Sequence, residues 1–576
     1  MKYKKIVFGL LLVAASFTAC TKKLDSLLEN PNYPSMSTAD VDLYLNTIQI
    51  NFNSFQNAAS SNGAGMSRQS YWGGPKYNNG TTPSGFDGIW TTAYSGIFAN
   101  ADAMIPLAVS QKKYVQSGIA RILKAYTLGT LVDQFGDVPY SQAVKGTGNE
   151  TPAVDKGAAV YAAVISLLDS AIAEINNPAA AAAPKVDLYY GGSKANWVTL
   201  AKTLKLKFYM QERLVVSVKD KVQALITEND LINTDAQSFV FKYSKILSPD
   251  SRHPWYGGYN DNGGGGYLAN YFIWKLAAEK WGGTVQVGKT ASTVITTGDP
   301  RLRYYFYRQN LSLSSWANSE TEPCYLNSQW QSATYPAWFP SVPDQTPFCA
   351  VGSGYIGRDH GDNSGGPPDG SYVTQVGIYP AAGEFDFNQG KKVAFGMGAG
   401  GNGINPIWLS SYTSFLKAEA IEALSVTAPK TSVDYLLEGV AASISKVTGF
   451  ITEIGYVNPA IPAASLANAD QIANYKTLVS NLYSAASTTA DKIDLIMSEY
   501  MIAAWGNGVE PYNNLRRTGS PKNVQVVVGV QNPGLFTRSF YYPSVFVNRN
   551  SNAPAQKSGT AANKVFWDNN PDNFIK

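Results

Sequence analysis

The stretch from residue 253 to residue 274, HPWYGGYNDNGGGGYLANYFIW, combines large aromatic side chains with amides and a carboxylate on a glycine-rich backbone. Flat aromatic rings pack against the C–H faces of sugars, and Asn, Asp and Arg side chains hydrogen-bond to hydroxyl groups. Glycine allows the backbone to approach a ligand closely. The sequence therefore predicts a surface for a neutral polar ligand, with the candidate contact residues Trp255, Tyr256, Tyr259, Asn260 and Asp261.

Three further residues extend this candidate surface. Trp72 lies in a loop rich in glycine and asparagine, and Trp338 and Arg358 lie in a loop-rich region from 244 to 406. Loops of this length inside a compact protein are usually functional. Each aromatic residue also has an alternative role, because packing into a large core or stiffening a loop uses the same side chains.

The residues that most enzymes use for acid–base or metal chemistry are scarce. The chain has only two histidines, His253 and His360, which leaves little material for a histidine base or a multi-histidine metal site. The run 359–363 offers oxygen ligands but lacks the spacing and distal glutamate of an EF-hand loop. A glycosidase would need two carboxylates across a cleft, and no motif fixes a pair such as Asp250 and Asp261. The sequence thus favours binding without catalysis, cofactor or metal, with a glycoside hydrolase as the weaker alternative.

The N-terminus has the features of an export signal. Residues 1–19 contain a lysine-rich start and an apolar run that is too short to span about 30 Å of hydrocarbon. Ala19 directly before Cys20 resembles a bacterial lipobox, which implies cleavage before Cys20 and lipidation of its thiol. An ordinary signal peptide with an incidental cysteine is the alternative. No later segment is predicted to be apolar enough to cross a bilayer, so the acyl chains would be the only anchor.

Charge and cysteine content narrow the partners further. The formal net charge of +4 includes three lysines of residues 1–19, so the processed chain is nearly neutral and has no basic footprint for nucleic acid. Besides Cys20, the chain has Cys324 and Cys349. In an oxidising compartment these two can pair and close a loop of about 25 residues, worth roughly 3 kcal/mol. The alternative is that the two cysteines are free buried thiols, and the sequence does not decide between a disulfide and free thiols.

The elements that must hold these residues are mostly helices. Apolar side chains at helical spacing predict helices over 40–55, 90–107, 119–132, 160–175, 194–208, 411–424, 433–451, 466–485 and 492–505. Asp133, Gly136, Asp137 and Pro139 are predicted to stop the third of these in a tight turn. The predicted division is a signal peptide (1–19), a lipidated tether (20–37), a helical part (38–243), a loop-rich aromatic insertion (244–406) and a second helical part with the tail (407–576), with 38–576 as one globular unit.

Several motifs spread along the chain carry a resemblance to a known family. The most specific is a helix that runs into DQFGDVPY at 133–140. The others are NPN at 30–32, YYGG at 189–192 with Trp197, DPRL at 299–302, GRDHGD at 357–362, AEA at 418–420 and RRTG at 516–519. Together they resemble the SusD/RagB family of outer-membrane nutrient-binding lipoproteins, in particular its SusD-like branch.

The resemblance implies a mainly α fold in which helical pairs, similar to tetratricopeptide units, form a superhelix with a large irregular loop-rich insertion. It implies a non-catalytic protein anchored to the outer membrane through Cys20 and facing the cell exterior. Such a protein binds a nutrient, most often a glycan, and delivers it to a SusC-like TonB-dependent transporter. Ligand residues vary within the family, so the resemblance does not assign the candidates named above. A surface adhesin and a protein that binds oligopeptides for import are the alternatives.

Overall fold

The structure is a computed structural model, and it describes most of the chain after residue 39. The described residues are 40–78, 80–180, 183–257, 267–277, 279–281, 298–309, 355, 357–361, 374–391, 393–394, 396–527, 533–559, 563–572 and 574–575. Several predictions fall outside this set: Cys20 and the tether, Tyr259, Asn260, Asp261 and Trp338, and the pair Cys324 and Cys349. Lipidation and the disulfide therefore stay predictions, as does the division of the chain into parts.

Helices make up most of the described chain. They are α1 (Val41–Met66), α2 (Asp87–Thr91), α3 (Ala99–Ser110), α4 (Tyr114–Phe135), α5 (Gly157–Ile175), α6 (Lys194–Glu212), α7 (Lys219–Glu228), α8 (Pro254–Tyr256), α9 (Asn270–Ala277), α10 (Leu302–Tyr305), α11 (Ser410–Leu424), α12 (Ser432–Glu453), α13 (Ala469–Ala485), α14 (Thr489–Ala503), α15 (Val509–Thr518) and α16 (Ser544–Val547). A π-helical segment, Thr92–Phe98, joins α2 to α3. Short 3-10 turns lie at Pro83–Phe86, Gly146–Gly148, Asp235–Gln237, Glu279–Trp281 and Ala463–Ser465.

Neighbouring helices pack in pairs, because each has an apolar face that it cannot bury alone. In the N-terminal half α4 packs on α5, α5 on α6 and α6 on α7. In the C-terminal half α11 packs on α12 and α14, and α12 on α13. Contact between α15 and α1 joins the two halves. Ser193 caps α6 as predicted, since its side chain accepts a hydrogen bond from the Asn196 N–H at 3.3 Å.

The prediction that no later segment is apolar enough to cross a bilayer was wrong. Among the described residues, α5 is long and apolar enough to cross a membrane, by length and composition alone. Its many alanines raise its mean hydropathy, and its face with Val160, Val164 and Leu168 is buried against α4 and α6. The core helix of a soluble repeat passes the same test, so the apolar composition of α5 fits its place between two helices.

The end of α4 also differs from the prediction. Asp133 does not stop the helix, which ends at Phe135, directly before the predicted stop residue Gly136 with its positive φ of +85°. The carboxylate of Asp133 is buried and accepts hydrogen bonds from Tyr161 Oη, Asn513 Nδ2 and Trp567 Nε1. Those donors lie on α5, α15 and the C-terminal tail, so this carboxylate ties three separate parts of the chain to α4.

Two short antiparallel ribbons lie in the non-helical part. Strand β1 (Phe239–Lys242) pairs with β4 (Ile404–Trp408), with Phe239 opposite Trp408. Strand β2 (Phe306–Tyr307) pairs with β3 (Gln375–Val376). The first ribbon brings the two ends of the insertion side by side on the helical body.

A buried group of charged residues fastens the insertion to the helical body. We call this group the ionic network: Lys275, Glu279, Lys280, Asp299, Arg301 and Glu499. The guanidinium of Arg301 lies 2.6 Å from Asp299 Oδ2 and 3.1 Å from Glu499 Oε2, and Lys280 Nζ lies 3.0 Å from Glu499 Oε1. Burial would raise the pKa of Glu279, but the ammonium groups of Lys275 and Lys280 lower it to about 2. Three cations thus face three carboxylates with little access to water.

Candidate functional site

A cavity of about 490 Å³ lies where α1, the segment around α8 and the end of α14 meet. We call it the cleft. Its volume falls within the range of roughly 300 to 1,000 Å³ of small-molecule sites. The described residues that line it are Asn57, Ala58, Ser60, Ser61, Ala64, Gln69, Ser70, His253, Pro254, Trp255, Tyr267, Leu268, Gln375, Val376, Pro380, Asn405, Pro406, Trp505 and Gly506.

One wall of the cleft is the C-terminal half of α1, which approaches the turn after α14 very closely. A Cβ atom on Gly63 would lie only 2.2 Å from the carbonyl oxygen of Gly508. Ser60 Oγ donates to the Gly506 carbonyl at 3.0 Å and accepts from the Gly508 N–H at 2.9 Å. Small residues on both sides therefore allow the two backbones to touch, and Trp505 and Gly506 are held against α1.

Two indole rings form the aromatic wall. Trp505 is almost completely buried and stacks on Phe272 with ring centroids 5.3 Å apart and an interplanar angle of 18°. Phe306 meets it edge-on at 5.3 Å. The ring of Trp255, which is half-buried, lies 5.5 Å from Trp505 at an angle of 59°. The packing fixes Trp505, so the wall has a defined shape before any ligand enters.

His253 orients Trp255. Its Nδ1 atom accepts a hydrogen bond from the Trp255 N–H at 3.1 Å, which caps the short helix α8. Burial lowers the pKa of His253 to about 3, partly opposed by a hydrogen bond with the backbone of Ile404. The ring of Tyr243 packs edge-on against His253 at 4.8 Å. His253 is therefore a neutral residue that positions the indole and is not a proton donor at physiological pH.

Amide side chains supply most of the polar lining. Gln69 Nε2 donates to the carbonyls of Met501 and Ala504 at 3.1 and 2.9 Å, at the end of α14. Asn57 Nδ2 donates to Tyr243 Oη at 2.6 Å. The Oε1 atom of Gln69 and the Nε1 atom of Trp505 are buried without a hydrogen-bond partner among the described residues. The cleft thus offers uncharged donors and acceptors beside apolar rings.

The arrangement suits binding and provides no machinery for catalysis in the part of the chain that the structure describes. No Asp, Glu, Lys or Arg is among the described lining residues. His253, the one titratable base there, already has its ring atoms engaged. The described residues also contain no group of three or more His, Cys, Asp or Glu side chains that could hold a metal ion.

The structure brings some predicted residues to the cleft and places others nearby. Trp255 lines it, whereas Tyr256 is buried behind it, with its Oη accepting from the Gly396 N–H at 3.1 Å. The guanidinium of Arg358 lies 4.2 Å over the ring of Tyr267, which itself lines the cleft. Each of these contact assignments stays a prediction.

Trp72 lies outside the set of cleft-lining residues. Its ring stacks on Tyr77 at 5.2 Å and on His360 at 5.0 Å. Tyr77 Oη in turn accepts from Arg68 Nη2 at 2.7 Å. This stack packs the loop after α1 against the insertion, which is the alternative role that the sequence left open for an aromatic residue.

Sequence reasoning missed several residues that line the cleft. Trp505 follows an amphipathic helix and reads as the last core residue of that helix, and only the succeeding Gly506 marks it as unusual. Gln69, Gln375 and Asn405 have no local signal, because they are distant in sequence and reach the cleft only through the fold.

Helical pairs around an uncharged, aromatic-lined cleft define a ligand-binding protein of the helical-repeat class. A sequence profile described as "starch-binding associating with outer membrane", SusD-like, matches residues 31–315. The chain belongs to the SusD/RagB family, as the motifs at 133–140 and elsewhere predicted. Members of this family are carbohydrate-binding proteins and not enzymes, which agrees with the expected lack of catalysis.

Solved structures agree with the mainly α, tetratricopeptide-like fold. A SusD/RagB protein from Bacteroides thetaiotaomicron is 18% identical, with a TM-score of 0.63 over 92% of this chain and 100% of its own. A SusD homologue from Bacteroides fragilis is 17% identical, with a TM-score of 0.61 over 92% and 99%. A chitin-binding SusD homologue from Flavobacterium johnsoniae is 18% identical, with a TM-score of 0.59 over 92% and 99%. No curated protein matches the chain.

Proposed function

We propose that this protein binds a glycan in the cleft, on the outer surface of the outer membrane, and delivers it to a SusC-like TonB-dependent transporter. The observation that carries the proposal is the pair of indole rings, Trp255 and Trp505, fixed beside uncharged amide groups. This combination matches the C–H faces and hydroxyl edges of a sugar. The chitin-binding relative, which shares the fold, supports the same ligand class.

The binding step is tested by calorimetry against a panel of starch, chitin, xylan, pectin and chitosan oligosaccharides. Trp255→Ala should weaken binding of the best ligand at least tenfold, about 1.4 kcal/mol, because the exposed face of the cleft loses its ring. Tyr44→Ala is the matched control, since Tyr44 lies on α1 about 20 Å along the helix axis from Asn57. The control should bind like the wild type. Binding that survives Trp255→Ala would place the site elsewhere.

The same assay separates the competing functions. Release of reducing sugar from a bound oligosaccharide would favour a glycoside hydrolase. Binding of peptides with no response to any glycan would favour oligopeptide import, and binding of host proteins alone would favour an adhesin.

Attachment and delivery need separate tests. With radiolabelled palmitate, the wild type should carry label in the outer-membrane fraction, and Cys20→Ser should lose both label and membrane attachment. A large β-barrel protein should purify together with the wild type from gently solubilised outer membranes. Absence of label from the wild type would overturn the anchor, and purification without a barrel would overturn the transporter partnership.

A further inference from the structure

The lining of the cleft has an unusual charge distribution for a buried polar site. Its described residues include aromatic rings, prolines, amides and the hydroxyl groups of Ser60, Ser61 and Ser70, but no ionised side chain. We propose that the cleft accepts only uncharged glycans and excludes acidic sugars and amino sugars with a free ammonium group. This inference rests on the proposed function and specifies its ligand class.

The energetic reason is desolvation. A carboxylate or ammonium group that enters a cavity loses water contacts, and this costs several kcal/mol unless an opposite charge replaces them. Amides and hydroxyls compensate a neutral hydroxyl well and a full charge only in part. A charged ligand therefore enters this cleft at a penalty that a neutral one of the same shape avoids.

Three charged residues near the lining residues are engaged in other contacts. Arg252 makes a two-point contact with Asp250, at 3.0 and 2.9 Å. Arg358 covers Tyr267 and donates to its Oη at 3.1 Å. Asp359 accepts from Gln525 Nε2 at 2.8 Å and from Asn270 Nδ2 at 3.3 Å. These groups belong to the walls, and none of them is a lining residue.

The unpartnered atoms at the wall favour a hydroxyl group. Gln69 Oε1 is an acceptor and Trp505 Nε1–H is a donor, and both lack a partner among the described residues. They are close in the fold, because Gln69 is bonded to the Ala504 carbonyl directly before Trp505. A hydroxyl donates and accepts, a carboxylate only accepts, and an ammonium group only donates. A hydroxyl can therefore complement either atom, whereas a carboxylate complements only the indole N–H and an ammonium group only the amide oxygen.

The decisive experiment compares a carboxylate ligand with its uncharged methyl ester. Of the starch and chitin oligosaccharides, which carry primary hydroxyls, the one that binds better is oxidised at those hydroxyls to carboxylates, and a portion is then converted to the methyl ester. The carboxylate form should bind at least tenfold more weakly than the parent, and the methyl ester should recover most of the affinity. Equal binding of the carboxylate and its ester, or a charged glycan as the best ligand of the panel, would overturn the inference. If no glycan in the panel binds at all, the proposed function fails instead.

A charge introduced at the mouth provides a second test. Ser61 is exposed on α1 and lines the cleft, so its replacement leaves the core untouched. Ser61→Lys should raise the ratio of carboxylate affinity to methyl-ester affinity several-fold, and Ser61→Asp should lower this ratio, whatever either change does to the affinity for the ester. The difference should shrink at high salt, because exposed charges are screened over about 10 Å at 0.1 M. A ratio that is the same in both variants would contradict binding in the cleft.

Discussion

The cleft and the ionic network are built on the same two helices and have opposite chemistry. On α14, Glu499 belongs to the network, and Trp505, just beyond the end of that helix, lines the cleft. On α9, Lys275 belongs to the network, while Phe272 stacks on Trp505. In the ionic network, every buried charge has a fixed partner within the protein. The described wall of the cleft has no charges, and a charge there would need a partner supplied by the ligand. The scaffold and the binding surface thus place opposite demands on neighbouring residues.

The largest expected effect comes from breaking the network. Glu499→Gln removes one carboxylate and leaves Arg301 and Lys280 buried with an excess of positive charge. The free energy of unfolding, measured by urea titration, should fall by about 3 to 5 kcal/mol. Glycan affinity should persist at temperatures where the variant is folded, because Glu499 does not line the cleft.

The control is an exposed pair. Lys522 Nζ lies 2.8 Å from Asp491 with both side chains largely in water, so Lys522→Met should cost less than about 1 kcal/mol. Similar small losses for both variants would show that burial gives the network no special role.

A smaller effect should come from spoiling the wall that carries the cleft. Gly508→Ala places a methyl group 2.2 Å from the Ala64 nitrogen and the Ser60 oxygen, both backbone atoms that cannot move aside freely. We expect a loss of about 1 to 3 kcal/mol in unfolding free energy, together with weaker glycan binding as Gly506 shifts. Gly449→Ala in α12, where a Cβ atom meets nothing within 4 Å, should instead be neutral or stabilising. Wild-type stability and affinity in Gly508→Ala would contradict the described contact.

The smallest effect near neutral pH concerns the two histidines. Burial lowers the pKa of both His253, to about 3, and His360 in the folded protein. Below pH 6.5 the unfolded chain therefore binds more protons than the folded one, and the free energy of unfolding falls as the pH is lowered. The slope contributed by each histidine is at most about 1.4 kcal/mol per pH unit.

Variants separate the two contributions. His253→Gln should reduce the slope between pH 6.5 and 4, and replacing both histidines should remove their share completely. Glycan affinity of the wild type should stay level from pH 5 to 8, because His253 remains neutral there. A binding curve that rises or falls near pH 6.5 would mean that this ring gains a proton in the folded protein.

Local sequence pattern was enough to predict most of the helices and the cap at Ser193, because apolar spacing and capping act within a few residues. It failed where the deciding partner is remote. Helix α1 continues past the predicted end at Phe55 to Met66, and its last turns lie against a distant segment, with Gly63 next to Gly508. Asp133 looked like a helix stop, and only donors from distant segments, such as Trp567, make it a buried acceptor.

The candidate site shows the same limit. The sequence could point to Trp255, because aromatic and amide residues are concentrated around it. It could not join Trp255 to Trp505 or Gln69, since nothing in a local pattern measures separation in space. The short strands β1 and β4 were missed for the same reason, because each is defined by a partner more than a hundred residues away.

The pairing of β1 with β4 has a consequence for how the insertion can vary in length and sequence between related proteins. The chain leaves the helical body at Lys242 and returns opposite it at Ile404, so the two ends of the insertion lie side by side. The entropic cost of closing a loop grows slowly with its length. Long and short insertions can therefore be accommodated on the same helical body. An exchanged insertion would have to keep the ion pair between Arg301 and Glu499, which fastens the insertion to α14. Exchanging the insertion for another one that keeps this ion pair is expected to give a protein that binds a different ligand on the same helical body.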